Sequence, residues 1–316
     1  MKTLFLVSAL LAAPALAQTS APATPASAAT FDWKLRLTKG QTWTQNMTST
    51  SQMDMSAPDP ATKKSAPIHL TITQIMGIKN VVLDATPEFY LIRSTYSAFS
   101  VKTDISMNGK STPTPKTPDY GQSLVGASFT IKQAPDGRVL DVMGLEDLVA
   151  RMQRSFATPN QTPQQRAQFA RFLPSAKTLK ETISKNQSAA LPKTPLAVGQ
   201  SFSYAVALPS SFPMNMTLSS KKTLLSFDVQ SATFGDNGTF NTSATQPLVM
   251  GKTKTYTAMK GTISGQSVVD TETGLPRSST TTTKITGKVT VVQAGQAPVS
   301  VPLALTSQAT VVTTTP

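Results

Sequence analysis

The sequence contains no cysteine. This excludes disulfide bonds, thiolate metal sites and cysteine nucleophiles. In an oxidising compartment such a protein has to rest on its hydrophobic core, without covalent cross-links. The 316 residues are enough for one large domain or two small ones with a sizeable core.

Histidine is almost as scarce, since His69 is the single one in the chain. It alternates with Ile68 and Leu70, which predicts a place on the polar face of a strand. A hydrolase with a histidine base would have to use this residue, yet no serine stands in a G-x-S-x-G pattern. Ser219 and Lys222 match S-x-x-K, but the strand spacing after them favours a hairpin end with solvated lysines. We therefore expect no enzyme, and a hydrolase with an unrecognised site is the least favoured class of function.

Acidic side chains are also few, with 16 Asp and Glu against 29 Lys and Arg. Asp270 and Glu272 share one turn, which falls far short of the oxygen ligands of a calcium-binding loop. The sequence has neither a Walker A motif nor a glycine-rich dinucleotide motif after a strand. We predict no catalytic residues, no metal site and no cofactor.

Long apolar runs are missing after the N-terminus. Lys2 precedes an apolar stretch at 4–13, and Ala15-Leu16-Ala17 follows as a small-x-small cleavage site. This pattern predicts a signal peptide at 1–17, cleaved after Ala17. We expect a soluble exported protein, periplasmic or extracellular, without a transmembrane segment in the mature chain. Residues 18–30 are rich in Ala, Pro, Ser and Thr and are predicted to be a disordered spacer.

Apolar residues recur mainly with a period of two, which is typical of strands with one buried and one solvated face. The alternation includes Trp33–Leu37, Ile68–Ile72, Phe99–Met107, Phe202–Leu208, Leu225–Val229 and Val299–Leu305. Half-solvated strands favour an antiparallel sheet. The fold class we predict is α+β: a curved, mainly antiparallel sheet of the half-barrel kind, with a central helical insert packed on it.

The helices are predicted in the middle of the chain. An amphipathic stripe starts at Leu145, Thr162-Pro163 begins a second helix, and Ser175 caps a third that buries Leu179 and Ile183. Hairpin turns are predicted at Gly137, at Asn237-Gly238 and at Gly274.

A short phrase occurs twice, as LTKGQTW from Leu37 and as LAVGQSF from Leu196. It opens strand-rich segments on both sides of the helices. We predict a first β meander at 31–144, a helical insert at 145–190 and a second meander at 191–316, within one domain. Duplication and coincidence both explain the repeated phrase, and five matched features do not decide between them.

Three segments resemble known families. The turn VVDTETGLPRSS (268–279) is similar to one in LolA-like lipoprotein carriers, where it joins two long strands of a half-barrel. GASFTIKQAPDGRVLDVMG (126–144) and LPKTPLAVGQSFSY (191–204) resemble a group of uncharacterised secreted bacterial proteins, a domain of unknown function. The first resemblance implies an acyl chain held between a concave sheet and covering helices. This chain is longer than a typical carrier, and neither resemblance supplies a catalytic residue.

Positive charge is concentrated in the predicted helices, where 151–193 hold eight Lys or Arg and one Glu. Such a face suits an anionic membrane or wall polymer. Export and an aromatic content of 6 % argue against nucleic acid. The residues predicted to contact an anionic surface are Arg151, Arg154, Arg166, Arg171, Lys177 and Lys180, and a merely solvated face is the favoured interpretation of them.

Two classes of function remain. The favoured one is a binding module of the cell envelope for a lipid or another apolar ligand. The alternative is a structural or interaction protein that uses its basic helices and holds no small molecule. Methionines at strand spacing, such as Met53 and Met55, suit an adaptable apolar surface, although filling gaps in a core is their more common use.

Overall fold

A computed structural model describes residues 29–58, 65–107, 110–112, 122–156, 173–189, 191–207, 215–243, 248–250, 253–293, 295 and 297–316. Long antiparallel strands dominate these ranges. The first half contains β1 (Thr30–Phe31), β2 (Thr42–Pro58), β3 (Ser65–Ala85), β4 (Tyr90–Met107), β5 (Lys110–Thr112), β6 (Ser128–Gln133) and β7 (Val139–Met143).

Within the described ranges, two α-helices follow, α1 (Leu145–Phe156) and α2 (Ala176–Ala189). The second half contains β8 (Leu196–Ala197), β9 (Ser201–Ala207), β10 (Asn215–Phe227), β11 (Ser231–Ser243), β12 (Leu248–Met250), β13 (Thr253–Asp270), β14 (Pro276–Gln293) and β15 (Val299–Thr314). A 3₁₀ turn covers Gln122–Leu124.

The main sheet has the strand order β7-β6-β4-β3-β2-β15-β14-β13-β11-β10-β9. Every pairing in it is antiparallel, and the short strands β5 and β12 pair with β4 and β13. The two halves of the chain meet where β2 pairs with β15. The predicted fold class, a large antiparallel sheet with helices packed on it, is confirmed.

The sheet is strongly curled. Ten inter-strand steps would place β7 and β9 about 48 Å apart in a flat sheet. Helix α2 is about 21 Å long, yet it packs against both β7 and β9. Ser188 on α2 also accepts a hydrogen bond from the Val139 N–H of β7 at 3.0 Å. The sheet must therefore curl until its edges come within reach of a single helix, and this creates an enclosed inner face.

Residues 31–37 cross one end of the curled sheet, which we call the base. Their side chains alternate between buried and exposed as predicted, but residues 32–37 form no strand of the sheet. Their backbone instead bonds to turns from both halves: the Leu35 N–H donates to the Pro135 carbonyl and the Arg36 N–H to the Thr273 carbonyl, both at 2.8 Å. A strand was predicted here because one side of an extended segment is buried even without sheet neighbours.

The base is closed by aromatic packing around Trp33. Its indole N–H donates to the Gly274 carbonyl at 3.0 Å, and its ring stacks on Phe234 at 4.6 Å between centroids. Phe31 and Leu196 belong to the same buried cluster. The N-terminal segment thus packs on the second half of the sheet here, and its Leu35 and Leu37 belong to a separate buried cluster with the first half.

The helices agree with the sequence patterns. Helix α1 begins at Leu145, and Leu148 packs with Ile131 and Val142 of the sheet. Helix α2 follows Ser175, whose Oγ accepts the Thr178 N–H at 3.1 Å as an N-cap. The helix predicted from Thr162-Pro163 lies outside the described residues.

The repeated phrase builds the same backbone structure twice. Gly40 and Gly199 have φ angles of 83° and 84°, a region that favours glycine. The Gly40 N–H donates to the Val82 carbonyl at 2.9 Å, and the Gly199 N–H donates to the Leu224 carbonyl at 2.7 Å. Both glycines therefore attach the start of a strand run to the hairpin that follows it.

The glutamines after these glycines also play matching roles. The side-chain oxygen of Gln41 accepts the Thr38 N–H at 3.0 Å, and that of Gln200 accepts the Ala197 N–H at 2.9 Å. Each strand that receives the glycine carries a bulge just after its contact, between Val82 and Asp84 in β3 and between Leu224 and Ser226 in β10. The two halves share these details, while the predicted domain boundaries stay a prediction.

The hairpin turns at Gly137 and Gly274 have positive φ, as predicted. The hairpin predicted at Asn237-Gly238 is wrong, because both residues lie inside β11. The hairpin end predicted at Ser219–Lys222 is also wrong, since those residues lie inside β10, and Lys221 pairs with Asn237. Gly238 allows the backbones of β10 and β11 to approach closely, because a Cβ atom at this position would lie 2.7 Å from the Ser219 carbonyl oxygen.

The prediction that the buried face at the end of β10 contains Leu225 and Val229 is wrong as well. Leu225 and Val229 are exposed, and Leu224 is fully buried instead. The bulge after Leu224 reverses the alternation at this point.

Candidate functional site

The inner face of the sheet is layered from the base to the opposite end, which we call the far end. Successive side chains of a strand point to opposite faces, so the inner face is lined by every second residue. This alternation is seen on β2, β4, β9, β11, β13 and β15. The register places these residues in rows that run across the strands. Each row is about 6.7 Å nearer to the base than the row before it.

Two apolar rows line the inner face at the far end. The first row contains Met107, Ile68, Met55, Leu303 and Met259. The second row contains Ile105, Leu70, Met53, Leu305, Ile285 and Phe240. Buried and half-buried side chains are mixed: Met53 and Phe240 are each 1 % exposed, while Met55, Leu70 and Met107 are half-buried. Both rows are apolar, each is interrupted by one glycine (Gly287 in the first row, Gly261 in the second), and several of their side chains are only half-buried.

A polar belt of two rows lies between these apolar rows and the base. Its buried polar members are Ser51, Thr283, Ser220, Ser49, Gln74, Thr281, Asp236 and Lys222. Ser51 Oγ donates to Ser307 Oγ of the neighbouring strand at 2.8 Å. Hydroxyl groups in this belt thus bond to one another across strands.

Gln74 is the unsatisfied member of the belt. It is 2 % exposed, and its side-chain nitrogen has no hydrogen-bond partner. A buried donor without a partner costs about 1–3 kcal/mol. Gln74 faces inward because it continues the parity of Ile68, Leu70 and Ile72 on β3.

A buried ion pair occupies the belt on the other side of the sheet. Lys222 Nζ lies 3.3 Å from Asp236 Oδ2, and the two residues are 6 % and 0 % exposed. Tyr204 donates its hydroxyl to Asp236 at 2.7 Å, and Ser220 donates to the other carboxylate oxygen. Among the described strand residues, these two carry the charge of the inner face, and their charges cancel.

Burial shifts the titration of this cluster. It lowers the pKa of Lys222, against the opposing effect of the Asp236 carboxylate. Burial, together with the negative charge of Asp236, raises the pKa of Tyr204 above its ordinary value. Tyr204 therefore remains a protonated donor to Asp236 at neutral pH.

His69 lies on the outer face and contacts Asp54 through Nδ1, with both side chains more than half exposed. The register places Ser106 opposite His69 on the next strand, but no hydrogen bond joins these two described residues. Within the described ranges, no group of three His, Asp or Glu side chains could hold a metal ion.

The outer face also has a shallow groove of about 600 Å³ beside the edge strand β9. Exposed polar residues line it, among them Ser203, Ser219, Lys221 and Asn237. It opens on the side of the sheet opposite to the buried ion pair, because its exposed residues alternate with Tyr204 and Ser220.

The four predicted basic residues that the structure describes lie on the helices, and acidic partners neutralise three of them. Arg151 Nε contacts Asp147 Oδ2 at 2.7 Å, and Arg154 lies 3.8 Å from the same carboxylate. Lys180 pairs with Asp141 of β7, and Lys177 is exposed. Arg166 and Arg171 lie outside the described residues. Contact with an anionic surface stays a prediction.

The family model for a family of unknown function, DUF6263, matches residues 87–276. This chain belongs to that family. The resemblance to a domain of unknown function is confirmed to this extent, and membership of DUF6263 assigns no activity. A search of curated proteins finds no match.

Two solved structures show a distant likeness. One carries the description "lipid-protein interactions in lipovitellin" and is 10 % identical in sequence. The match covers 88 % of this chain and 25 % of the lipovitellin chain, with a TM-score of 0.41. This chain thus spans a quarter of the lipovitellin chain. The other is an outer membrane channel from Pseudomonas putida F1, 9 % identical over 93 % of this chain and 100 % of its own, with a TM-score of 0.23. Likenesses this distant bear on neither the fold nor the function.

No helix in the part of the chain that the structure describes has both the length and the apolarity to span a membrane.

The polar belt was not predicted from the sequence. The strand spacing after Lys222 favoured a hairpin end with solvated lysines, whereas Lys221 and Lys222 face opposite sides of β10. The parity shared by Leu218, Ser220, Lys222 and Leu224 was the signal that could have placed Lys222 inside.

Proposed function

We propose that this protein is an exported, non-enzymatic binding module that holds a lipid or a similar apolar ligand against the inner face of its sheet. The observation that carries the proposal is the pair of apolar rows at the far end, which crosses six neighbouring strands without a charged residue. Several aromatic residues fill the base around Trp33, whereas Phe240 is the single aromatic residue of the two far-end rows among the described residues.

The kind of side chain at the far end supports a ligand of variable shape. Met55, Met107 and Met259 are half-buried in the first row. Methionine is flexible and polarisable, and it adapts to different apolar partners. If a ligand buried these three side chains completely, each Å² of apolar surface removed from water would contribute roughly 25 cal/mol to the favourable free energy of binding.

The experiment starts from the processed protein, purified without detergent. Extraction with organic solvent followed by mass spectrometry would identify any lipid that copurifies. The extracted protein is then incubated with a pyrene-labelled acyl chain, and its binding is followed by fluorescence. A copurified acyl compound, or saturable probe binding at one site, supports the proposal.

Variants locate the site. Met55→Gln and Met107→Gln each place a polar group in the first row and should weaken probe binding several-fold. Met143→Gln is the matched control, because Met143 is an exposed methionine on β7. A clean extract together with absent probe binding would overturn the proposal. It would favour the alternative, an interaction protein that uses exposed basic residues such as Arg154 and Lys177.

A further inference from the structure

We infer that the apolar ligand carries an uncharged hydrogen-bond acceptor, an ester or amide carbonyl, which the Gln74 side-chain N–H binds at the polar belt. This inference rests on the proposed function and names the chemical class of its ligand. Three features support this inference: a buried donor without a partner, its position on the base side of the apolar rows, and the absence of net charge on the described inner face.

The first feature is the orphaned donor. The amide nitrogen of Gln74 is fully buried and has no partner, although buried polar groups in folded proteins are nearly always bonded. A leucine of similar size would avoid the cost of that unsatisfied group. The buried amide therefore has the property expected of a ligand-binding group: its hydrogen bond is completed only when a partner arrives.

The second feature is the position of this donor. On β3 the inward residues from the far end to the belt are Ile68, Leu70, Ile72 and Gln74. The amide lies about 20 Å along the strand from the first apolar row, at 3.3 Å per residue. A long-chain ligand lying along β3 would pass three apolar side chains before its polar end reaches Gln74.

The third feature is charge. Lys222 and Asp236 lie in the same transverse row as Gln74 and neutralise each other at 3.3 Å. A buried carboxylate or phosphate from a ligand would have no spare cation and would compete with Asp236 for Lys222. Burying an unpaired charge is far more costly than burying a carbonyl group that accepts one hydrogen bond. The belt thus favours a neutral acceptor over an anionic head group.

The test compares three probes of equal chain length, delivered from cyclodextrin: methyl palmitate, palmitate and hexadecane. Binding is measured by displacement of the pyrene-labelled acyl chain from the processed protein. The expected order of affinity is methyl palmitate first, with both palmitate at pH 8 and hexadecane weaker. Equal binding of the three probes, or tighter binding of palmitate, would overturn the inference.

The Gln74→Leu variant removes the donor at nearly constant volume. It should weaken methyl palmitate binding about 2- to 10-fold, the range of one net hydrogen bond, and leave hexadecane binding unchanged. Gln52→Leu is the matched control, because Gln52 lies on the exposed outer face of β2. Unchanged ester binding, or an equal loss for ester and hexadecane, would show that the amide recognises no head group.

A stability measurement separates binding from folding. Because Gln74→Leu removes an unsatisfied buried donor, the ligand-free variant should melt at the same temperature as the parent or higher. A variant that is less stable without ligand would contradict the assignment of Gln74 to ligand binding. Failure of all three probes to bind would instead count against the proposed function itself, so the two failures are distinguishable.

Discussion

Lys222 and Asp236 face each other across β10 and β11 and form an ion pair inside the sheet. Two charges buried in this way lose their hydration, and their mutual attraction often repays little more than that loss. The pair therefore contributes more to specifying a structure than to the net stability. We expect it to favour the observed register of β10 against β11, because a shift of either strand would separate the two buried charges.

Removing one partner of this pair should be far more damaging than removing both charges. We expect Lys222→Met to lower the free energy of unfolding by about 3–5 kcal/mol, since Asp236 stays buried without its cation. The double variant Lys222→Met/Asp236→Asn should recover much of this loss, because the asparagine oxygen still accepts one hydroxyl hydrogen bond and its NH2 group donates to the oxygen of the other hydroxyl. Urea unfolding measures both values.

The neighbouring Lys221→Met variant is the control for this pair, as Lys221 is exposed on the other face of β10. It should stay within about 0.5 kcal/mol of the parent. Equal losses for Lys221→Met and Lys222→Met would contradict the burial of the ion pair.

Trp33 packs the N-terminal segment against the second half of the sheet at the base, and its truncation should be among the most destabilising single changes. Trp33→Ala removes the stacking on Phe234 and the hydrogen bond to Gly274, and leaves a large cavity. We expect a loss of about 3–5 kcal/mol in the free energy of unfolding, typical of buried aromatic residues. Val229→Ala, at a residue 92 % exposed, provides the comparison, and a similar melting temperature for both variants would argue against a closed base.

The two glycines of the repeated phrase should respond equally to substitution. Both have left-handed backbone angles, and a Cβ atom at either position would meet open space. Gly40→Ala and Gly199→Ala should therefore each cost about 1–2 kcal/mol, the price of the left-handed conformation alone. Gly274→Ala should cost clearly more, because its Cβ atom would lie 2.1 Å from the Lys34 carbonyl oxygen. Thermal unfolding of the three variants checks this order.

The strands and helices that were predicted correctly are those in which the hydrophobic periodicity of the sequence matches the side chains that are buried in the fold. Phe99–Met107 and Val299–Leu305 alternate regularly and lie in long strands, and the buried face is the expected one except at Val299, which is exposed at the start of β15. Helix α1 begins at the first residue of its apolar stripe. In these segments hydrophobic periodicity and tertiary burial point to the same structure, so the periodicity was sufficient.

The failures have a common physical cause, which is the register between distant strands. Asn237-Gly238 is a good turn dipeptide, but pairing with β10 and β13 holds it extended. Lys222 is polar, and the parity of Leu218 and Leu224 places it inside only once β10 is known to run through it as a paired strand. Residues 32–37 were expected in a strand because turns from both halves bury one side of them. Local patterns do not contain the partner strands that decide these cases.

The Asp270 carboxylate should make the stability of the β13–β14 turn dependent on pH. Burial raises its pKa, but hydrogen bonds from Thr273 and the Arg277 guanidinium outweigh this effect, so the pKa in the folded protein lies below its ordinary value. A carboxyl group with a lowered folded-state pKa stabilises the protein above its unfolded-state pKa of about 3.9, and this contribution is lost as the pH falls through the folded-state pKa. Stability should therefore fall as the pH drops below the unfolded-state pKa of about 3.9.

Asp270→Asn tests this assignment, because asparagine keeps the shape of the side chain and loses the charge. The variant should be less stable than the parent at pH 7, and the difference should shrink as the pH falls towards 2. Urea unfolding at a series of pH values gives both curves. Asp54→Asn serves as the control, since Asp54 is exposed on the outer face. A difference for Asp270→Asn that stays constant from pH 7 to pH 2 would show that the Arg277 ion pair and the carboxylate charge contribute nothing to the stability of this turn.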